Sequence, residues 1–383
     1  MSTEVRRPYR PPGRAAEQDQ LPTAGGCRHP YIHPARLGVE SMAIRLGAVG
    51  LGGLGRMQLQ GIADRDDVTV IAGADVDGDA RAGFEDAHDA PAYADYEAML
   101  GGEDLDAVTI VTPHTLHYEQ TRAALERDLH VLLEKPMVTK TAHAAELVRL
   151  ADERDRVFQV GYQRHLHPGY RAVRETLQSG EIGDVHMASC HLAQDWIDSV
   201  EGSWRTDPAL SGGGQLIDSG SHLLDALLWT TDSRAREVAA VMDDRDEDVE
   251  VNAALSATLE GPDGPITASI GVSGDGSRFE EGLLVWGTDG HLQYDHRGLA
   301  VFDSAGDPDP DVREFDAGDY QKQTTEKVVV FLETVRGERE NPVPGEDGLR
   351  VTVLTEAAYR ARETGETVDA RALVEDAREE HGG

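Results

Sequence analysis

The amino-acid sequence predicts an α/β protein in which a parallel-sheet domain at residues 42–163 precedes an α+β domain at residues 164–383. From Ile44 onward, short apolar segments alternate with helical ones, which is typical of a parallel sheet with right-handed crossovers. After about Arg164 the strands follow one another at hairpin-like spacing, which favours a large, mostly antiparallel sheet. A glycine-rich turn at residues 50–55 separates the first strand from the first helix.

The individual elements are predicted from apolar runs that lie between turn residues. In the first half, strands are expected at 44–49, 68–72, 108–111, 130–133 and 158–161, and helices at 56–63, 117–127 and 142–153. In the second half, helices are expected at 170–179, 216–229, 321–336 and 348–364, and strands at 186–192, 253–259, 266–272, 283–287 and 299–302.

The chain carries far more acidic than basic side chains. Among 383 residues, 71 are Asp or Glu and 36 are Lys or Arg, so the formal net charge is −35. Such a surface repels a phosphate backbone, which excludes a general nucleic-acid binder. Only four of the basic residues are lysines, and this composition favours a protein adapted to molar salt, where screening weakens self-repulsion. No apolar run approaches the roughly 18 residues of a membrane-spanning helix, so no membrane partner is expected.

Residues 1–41 differ in charge from the rest of the chain. They carry a net charge of +2, whereas the remaining 342 residues carry −37, and they show no helical or strand period. The segment is therefore interpreted as a disordered tail or as an upstream extension before a true start at Met42.

Cysteine and histidine usage indicates the compartment and argues against a metal site. Cys27 and Cys190 are too few for a disulfide framework or a cysteine-based zinc site, and this favours the reducing cytoplasm. The histidine pairs 114/117 and 165/167 have no carboxylate or thiolate at ligand spacing, so no metal is predicted.

The glycine turn predicts a dinucleotide site. Residues 50–55 read G-x-G-x-x-G, they follow a strand and open a helix, and Asp75 stands twenty residues beyond Gly55 at the end of the next strand. Glycines let the backbone approach a pyrophosphate at the helix N-terminus, and Asp75 would accept hydrogen bonds from the adenosine ribose. Asp75 and Asp77 would both repel a 2′-phosphate, so NAD is favoured over NADP.

Motifs spread over both domains carry a family resemblance. Thr-Pro-His-x-x-His at 112–117, Glu-Lys-Pro at 134–136, Gly-Tyr-Gln-Arg at 161–164 and Trp204-Arg205 are followed by Gly-Gly-Gly-x-x-x-Asp-x-x-x-His-x-x-Asp at 212–225. In this order and spacing the chain resembles the glucose–fructose oxidoreductase / inositol dehydrogenase (Gfo/Idh/MocA) family, over residues 44 to about 370. One departure is His114, where the family usually has Asn.

The resemblance implies a Rossmann domain, a second domain whose sheet commonly mediates oligomers, and NAD(P)-dependent oxidation of sugars or cyclitols. A homo-oligomer, dimer or tetramer, is expected on the same basis. The catalytic group carried over is Lys135, Asp218 and His222. The predicted cofactor contacts are Gly50, Leu51, Gly52, Gly53, Leu54, Asp75, Thr112, Pro113, His114, His117, Glu134, Lys135, Gln163, Trp204, Arg205 and Tyr320. The predicted substrate contacts are Lys135, Arg164, Asp218, His222 and Asp225.

Residue chemistry supports a hydride transfer between a polyol hydroxyl and nicotinamide. A lysine ammonium beside the substrate oxygen stabilises a developing alkoxide, and a neutral histidine can take the hydroxyl proton. Asp218 and His222 are four residues apart and would share one face of a helix, so Asp218 is expected to orient the His222 general base.

Two other classes of function stay open at this point. Some relatives use bound NAD for transient oxidation during cleavage of a glycosidic bond, so an NAD-dependent glycoside hydrolase is one alternative. The other is a non-catalytic NAD-binding sensor, which would have no need of Lys135, Asp218 and His222 together. The substrate expected for the favoured function is a small sugar, sugar acid or inositol-like cyclitol.

Overall fold

The computed structural model describes residues 43–304, 310, 312–316 and 318–380. The segment at 1–41 and Met42 therefore lie outside the described residues. Within the described ranges, no helix is long and apolar enough to cross a membrane.

The first half of the described chain forms a parallel sheet of six strands. The strands are β1 (Ile44–Val49), β2 (Val68–Ala74), β3 (Ala92–Tyr93), β4 (Ala107–Ile110), β5 (His130–Leu133) and β6 (Phe158–Val160), in the spatial order β3-β2-β1-β4-β5-β6. The helices between them are α1 (Gly53–Gln60), α2 (Gly78–His88), α3 (Tyr96–Gly102), α4 (His117–Leu125) and α5 (Thr141–Glu153). The order reverses between β1 and β4, which is where open parallel sheets bind their ligands.

The second half of the described chain forms a sheet of nine strands. The strands are β7 (Val185–Asp195), β8 (Arg234–Asp243), β9 (Asn252–Gly261), β10 (Gly264–Ser273), β11 (Asp275–Gly287), β12 (Gly290–Asp295), β13 (Gly298–Asp303), β14 (Val312–Arg313) and β15 (Val368–Asp369). Their order is β14-β13-β12-β11-β7-β10-β9-β8-β15, and every pair except β7 with β10 is antiparallel. The predicted fold class, a Rossmann domain with a mostly antiparallel second sheet, is confirmed.

The described part of the second half also contains seven α-helices, several of which contact the second sheet. They are α6 (Pro168–Gln178), α7 (Ile197–Val200), α8 (Pro208–Ser211), α9 (Gly220–Thr230), α10 (Tyr320–Val335), α11 (Gly345–Thr364) and α12 (Ala370–Glu380). Side chains alternate between buried and exposed along β9 and β10, as in a sheet with one packed and one open face. Cys190 of β7 is buried in this sheet, at 2% exposure.

Helix α10 comes late in the chain but packs against the first sheet and α1. Its residues Val328, Phe331 and Leu332 lie in the same apolar cluster as Leu46 of β1 and Leu132 of β5. A Cβ placed on Gly61, the residue after α1, would lie 2.1 Å from the Thr325 side chain, so α10 packs tightly against the end of α1. Residues from late in the chain therefore form part of the core of the first sheet.

One predicted helix begins later than expected. The pattern predicted a helix at 216–229, whereas α9 spans Gly220–Thr230. Gly212 and Gly213 have positive φ angles of 74° and 158°, and the Glu250 carboxylate accepts hydrogen bonds from the backbone of Gly214 (2.8 Å) and Leu216 (3.0 Å). These bonds hold residues 214–216 in a turn, because a buried carboxylate competes for the N–H groups that would start a helix.

Candidate active site

The glycine turn leaves open space where a phosphate would lie. A Cβ on Gly50, whose φ is +92°, would lie 2.1 Å from the Val111 carbonyl oxygen, so this position requires glycine. A Cβ on Gly52 or Gly53 would meet nothing within 4 Å. Helix α1 begins at Gly53 without a side-chain cap, so the N–H groups of its first turn face this space. Such a helix N-terminus fits the pyrophosphate of a dinucleotide.

Asp75 lies directly after β2 and is tied to the glycine turn. Its carboxylate accepts hydrogen bonds from the backbone N–H of Leu51 (2.7 Å) and of Asp77 (2.9 Å). Arg81, which sequence reasoning missed, donates to the carbonyl oxygens of Asp75 (2.8 Å) and Val76 (3.0 Å). The carboxylate is thus fixed at the end of the strand that meets an adenosine ribose in dinucleotide-binding folds.

A cavity of about 170 Å³ lies beside the glycine turn. It is lined by Gly52, Gly53, Leu54, Gly55, Val111, Thr112, Pro113, His114, Glu134, Lys135, Trp204 and Arg205. Ten of the predicted cofactor residues therefore meet here from both halves of the chain. Their donor set, backbone N–H groups with a few polar side chains, fits a nicotinamide dinucleotide.

A larger cavity of about 650 Å³ adjoins the first. The predicted residues among its lining are Leu54, Lys135, Gln163, Arg164, Arg205, Asp218, His222 and Tyr320. Leu54, Lys135 and Arg205 line both cavities, so the two meet at the Lys135 side chain. This volume would accommodate a sugar-sized molecule next to a bound nicotinamide.

Asp218 is the central residue of a buried ionic cluster that lines the larger cavity. Its side chain is 6% exposed, and Oδ1 accepts from Lys135 Nζ at 2.7 Å. Oδ2 accepts from Trp196 Nε1 at 2.8 Å and from Arg205 Nε at 3.1 Å. Burial alone would raise the pKa of Asp218, but Lys135, His114 and Arg205 outweigh burial and hold that pKa well below its usual value. The carboxylate is therefore ionised, and its two cations leave the cluster with a net positive charge.

The predicted pairing of Asp218 with His222 is wrong. Asp218 precedes α9, so the two side chains do not share a helical face. Both Asp218 oxygens are occupied by other donors, and His222 Nδ1 has no hydrogen-bond partner among the described residues. His222 instead packs edge-on against Tyr162, with ring centroids 5.9 Å apart, and lines the larger cavity.

The predicted substrate contact of Asp225 is also wrong. Asp225 is 1% exposed and accepts a hydrogen bond from His165 Nε2 at 2.9 Å. His165 Nδ1 lies 2.8 Å from the Pro342 carbonyl oxygen, and the imidazole stacks on Trp229. Asp225 points into the protein because α9 turns this side towards α6 and α11, so its role is structural.

The buried His165 predicts a pH-dependent stability. Burial lowers the pKa of His165, but the Asp225 and Asp347 carboxylates outweigh burial and raise it above its ordinary value. A raised histidine pKa contributes stability that is complete below the ordinary pKa and is lost as the pH rises through the raised value. We expect the unfolding free energy to fall above neutral pH and His165→Gln to remove this fall, as measured by chemical denaturation. His296→Gln, at an exposed position, is the control; the same pH profile in all three proteins would contradict the prediction.

The histidines after Thr112 and Pro113 support the loop in different ways. His114 is 3% exposed, its Nδ1 lies 3.0 Å from the Ser211 carbonyl oxygen, and its Nε2 lies 3.8 Å from Asp218. Burial lowers the pKa of His114 to about 3, so the ring is neutral. His117 is fully buried between the carbonyl oxygens of Thr112 and Pro136 and does not reach either cavity, contrary to its prediction as a cofactor contact.

Arg164 and Tyr320 lie at the periphery of the larger cavity. The Arg164 guanidinium pairs with Glu281, which also accepts from the Tyr170 hydroxyl. Tyr320 is 59% exposed at the start of α10. Among the described residues, no group of three or more His, Cys, Asp or Glu side chains is placed to hold a metal ion.

Sequence reasoning missed several residues that shape the site. Trp196 binds Asp218, and Glu250 holds the glycine loop that leads to it. Tyr359 donates a hydrogen bond to Glu250 at 2.8 Å. Glu250 stands next to an acidic run at 243–248, which is exposed over most of its length, so nothing in the local sequence marked it as buried.

Comparison with known proteins agrees with this geometry. The profile described as "Oxidoreductase family, NAD-binding Rossmann fold" matches residues 44–162, and that of the "GFO/IDH/MocA C-terminal domain" matches residues 170–293. D-xylose 1-dehydrogenase [NADP(+)] of Haloarcula marismortui is 24% identical, over 85% of this chain and 92% of its own. The dTDP-3,4-didehydro-2,6-dideoxy-alpha-D-glucose 3-reductase of Streptomyces violaceoruber is 32% identical, over 63% and 70%.

One solved structure has the same fold over most of the length of this chain. The oxidoreductase domain protein from Kribbella flavida superimposes with a TM-score of 0.76 at 21% identity, covering 86% of this chain and 99% of its own. The fold and the site define an NAD(P)-dependent oxidoreductase with a Rossmann domain. The chain belongs to the Gfo/Idh/MocA family, which confirms the resemblance.

Proposed function

We propose that this enzyme oxidises a hydroxyl of a small sugar, sugar acid or cyclitol, with NAD as the hydride acceptor. The observation that carries the proposal is the Lys135–Asp218 pair: Lys135 lines both the cavity beside the glycine turn and the larger cavity, and Asp218 and His222 line the larger one. The relatives' names support a sugar substrate. The acidic composition of the chain and its similarity to the Haloarcula enzyme support activity at high salt concentration.

Lys135 is placed to stabilise charge on the substrate oxygen. Its ammonium donates to Asp218 Oδ1 (2.7 Å) and to the Asp218 carbonyl oxygen (3.1 Å), which leaves a third N–H for a ligand in the cavity. Lys135 and Arg205 share one carboxylate, so the cluster has a net positive charge and favours a developing alkoxide. Asp218 positions both cations.

His222 is the proposed general base. Its Nδ1 makes no bond within the described part of the chain, so Asp218 does not fix its tautomer. The ring packs against Tyr162 and lines the larger cavity, which Lys135 also lines. In the reaction, His222 takes the proton of the substrate hydroxyl as the carbon–hydrogen bond breaks. The cofactor, when bound, supplies the nicotinamide that accepts the hydride.

The test is reduction of the cofactor in molar KCl, followed by near-ultraviolet absorbance. The unaltered chain and His222→Ala are assayed with aldoses, sugar acids, inositols and glycosides, each with NAD and with NADP. We expect a sugar or cyclitol to reduce the cofactor with the unaltered chain and not with His222→Ala. Glycoside cleavage without net cofactor reduction, or cofactor binding with no turnover on any substrate, would overturn the proposal in favour of a hydrolase or a sensor.

The preference for NAD rests on Asp75 and has its own test. We expect Asp75→Asn to weaken NADH binding by about tenfold to hundredfold, the worth of a hydrogen bond to a charged group, because a carboxylate holds the ribose hydroxyls better than an amide does. NADPH binding should change little or improve, since a charge that repels its 2′-phosphate is removed. Cofactor fluorescence measures both affinities. Asp86→Asn, at an exposed position of α2, is the control, and an equal shift for both cofactors in Asp75→Asn would rule out this role.

A further inference from the structure

We propose that Lys327 is a positioning residue of the cofactor site. It holds the Glu134 carboxylate beside α1, the helix that follows the glycine turn, and so sets the affinity for the nicotinamide half of the dinucleotide. The proposal rests on the proposed function only in that the cofactor is a nicotinamide dinucleotide. Lys327 lies on α10, almost two hundred residues after Glu134 in sequence, and no motif in the sequence points to it.

The two charges form a pair that is closed to solvent. The side chains of Lys327 and Glu134 are 4% and 5% exposed, and Lys327 Nζ contacts Glu134 Oε1. Gln58 of α1 donates from Nε2 to the same oxygen at 2.5 Å. A buried carboxylate without a cation beside it is costly, so Lys327 compensates the negative charge of Glu134 at this depth.

Glu134 is part of the wall of the cavity beside the glycine turn. It lines that cavity together with the glycine turn and Lys135. Its second oxygen, Oε2, accepts from the Lys135 backbone N–H at 3.3 Å, and a Cβ on Gly161 would lie 2.9 Å from it. Glu134 thus joins α1, the Lys135 backbone and the end of β6, and its orientation depends on the cation beneath it.

Helix α10 connects this pair with the substrate cavity. Tyr320 and Gln323, in its first turn, line the larger cavity, whereas Lys327 one turn later reaches Glu134. Val328, Phe331 and Leu332 then fix the helix to the core of the first sheet. Helix α10 therefore lines the larger cavity directly. Through Lys327 it also contacts Glu134 in the wall of the smaller cavity.

The choice of lysine is informative in this chain. Only four of 36 basic residues are lysines, and among these four Lys327 is the buried one, whereas the Lys135 side chain is 15% exposed. An ammonium is a compact point charge, whereas the planar guanidinium of arginine needs more room and more acceptors. The narrow space between Glu134 and α10 therefore favours lysine where arginine has taken nearly all other basic positions.

The test measures NADH affinity by fluorescence for Lys327→Met, Glu134→Gln and the double variant in molar KCl. We expect Lys327→Met to weaken NADH binding by about tenfold to hundredfold, the range of coupling between contacting residues. On a substrate found for the unaltered chain, the loss should appear in the KM for the cofactor and leave kcat little changed, because Lys327 does not line the substrate cavity. The double variant should bind no worse than Glu134→Gln, since the two residues act as one pair. Lys140→Met, at a side chain 61% exposed, is the matched control.

The outcomes separate this proposal from the proposed function. If Lys327→Met folds and binds NADH as the unaltered chain does, the proposal is overturned. If that variant does not fold, the uncharged double variant decides: binding equal to that of Glu134→Gln supports the pair, and a further independent loss overturns it. Failure of the unaltered chain to bind NADH or NADPH would overturn the proposed function and this proposal together, whereas binding without sugar oxidation would leave this one standing.

Discussion

Lys135→Met is expected to lower kcat by about 10²–10³-fold, the usual effect of removing one group that stabilises charge in the transition state. Methionine keeps the shape of the side chain but removes the N–H that faces the substrate cavity. Lys135 lines both cavities, so its charge lies between the sites proposed for the substrate and for the cofactor. Steady-state kinetics on a substrate found for the unaltered chain would measure the effect.

The control for this prediction is Lys140→Met. Lys140 lies five residues away, is largely exposed, and has its nearest carboxylate, on Glu356, at 3.9 Å. It should leave kcat unchanged, as surface ion pairs of this length contribute little. Cofactor affinity in Lys135→Met should fall much less than kcat, because the glycine turn and Asp75 remain. A kcat that Lys135→Met leaves intact would remove the ammonium from the mechanism.

The parallel sheet could be predicted because its strands are continuous apolar runs between turn residues. Strands β1 (Ile44–Val49) and β5 (His130–Leu133) have the predicted bounds. Elements without such a run were missed. Helix α2 buries only Phe84, and β8 exposes much of its length, so neither gives a clear apolar period.

The members of the site could be predicted better than their partners. Lys135, Asp218 and His222 share a cavity as expected, since motif spacing and family resemblance locate residues. The partners of Asp218 are set by tertiary packing: Arg205, Trp196 and Lys135 lie 13, 22 and 83 residues away in sequence. The i,i+4 rule applies within a helix, and it failed because Glu250 delays the start of α9 until Gly220.

Replacing Asp218 with alanine is expected to lower the free energy of unfolding by about 3–5 kcal/mol, the cost of breaking a buried ion pair by removing one partner. Lys135 and the Trp196 N–H would be left without their acceptor beneath the surface, and Lys135 and Arg205 would lose the charge between them. Chemical denaturation in molar KCl measures the difference. Asp218→Asn should cost less, because the amide oxygen can still accept a hydrogen bond while the charge is lost.

The sign of the pH dependence gives this prediction a second check. Because the pKa of Asp218 is depressed in the folded state, its stabilisation is present above the ordinary aspartate pKa and is lost as the pH falls through the folded value. The gap between the unaltered chain and Asp218→Ala should therefore narrow in acid. Asp198→Ala removes an exposed carboxylate from the nearby α7. It should not lower the free energy of unfolding, and its difference from the unaltered chain should not change in acid. Equal stabilities of the two alanine variants at neutral pH would mean that Asp218 does not hold the two cations together.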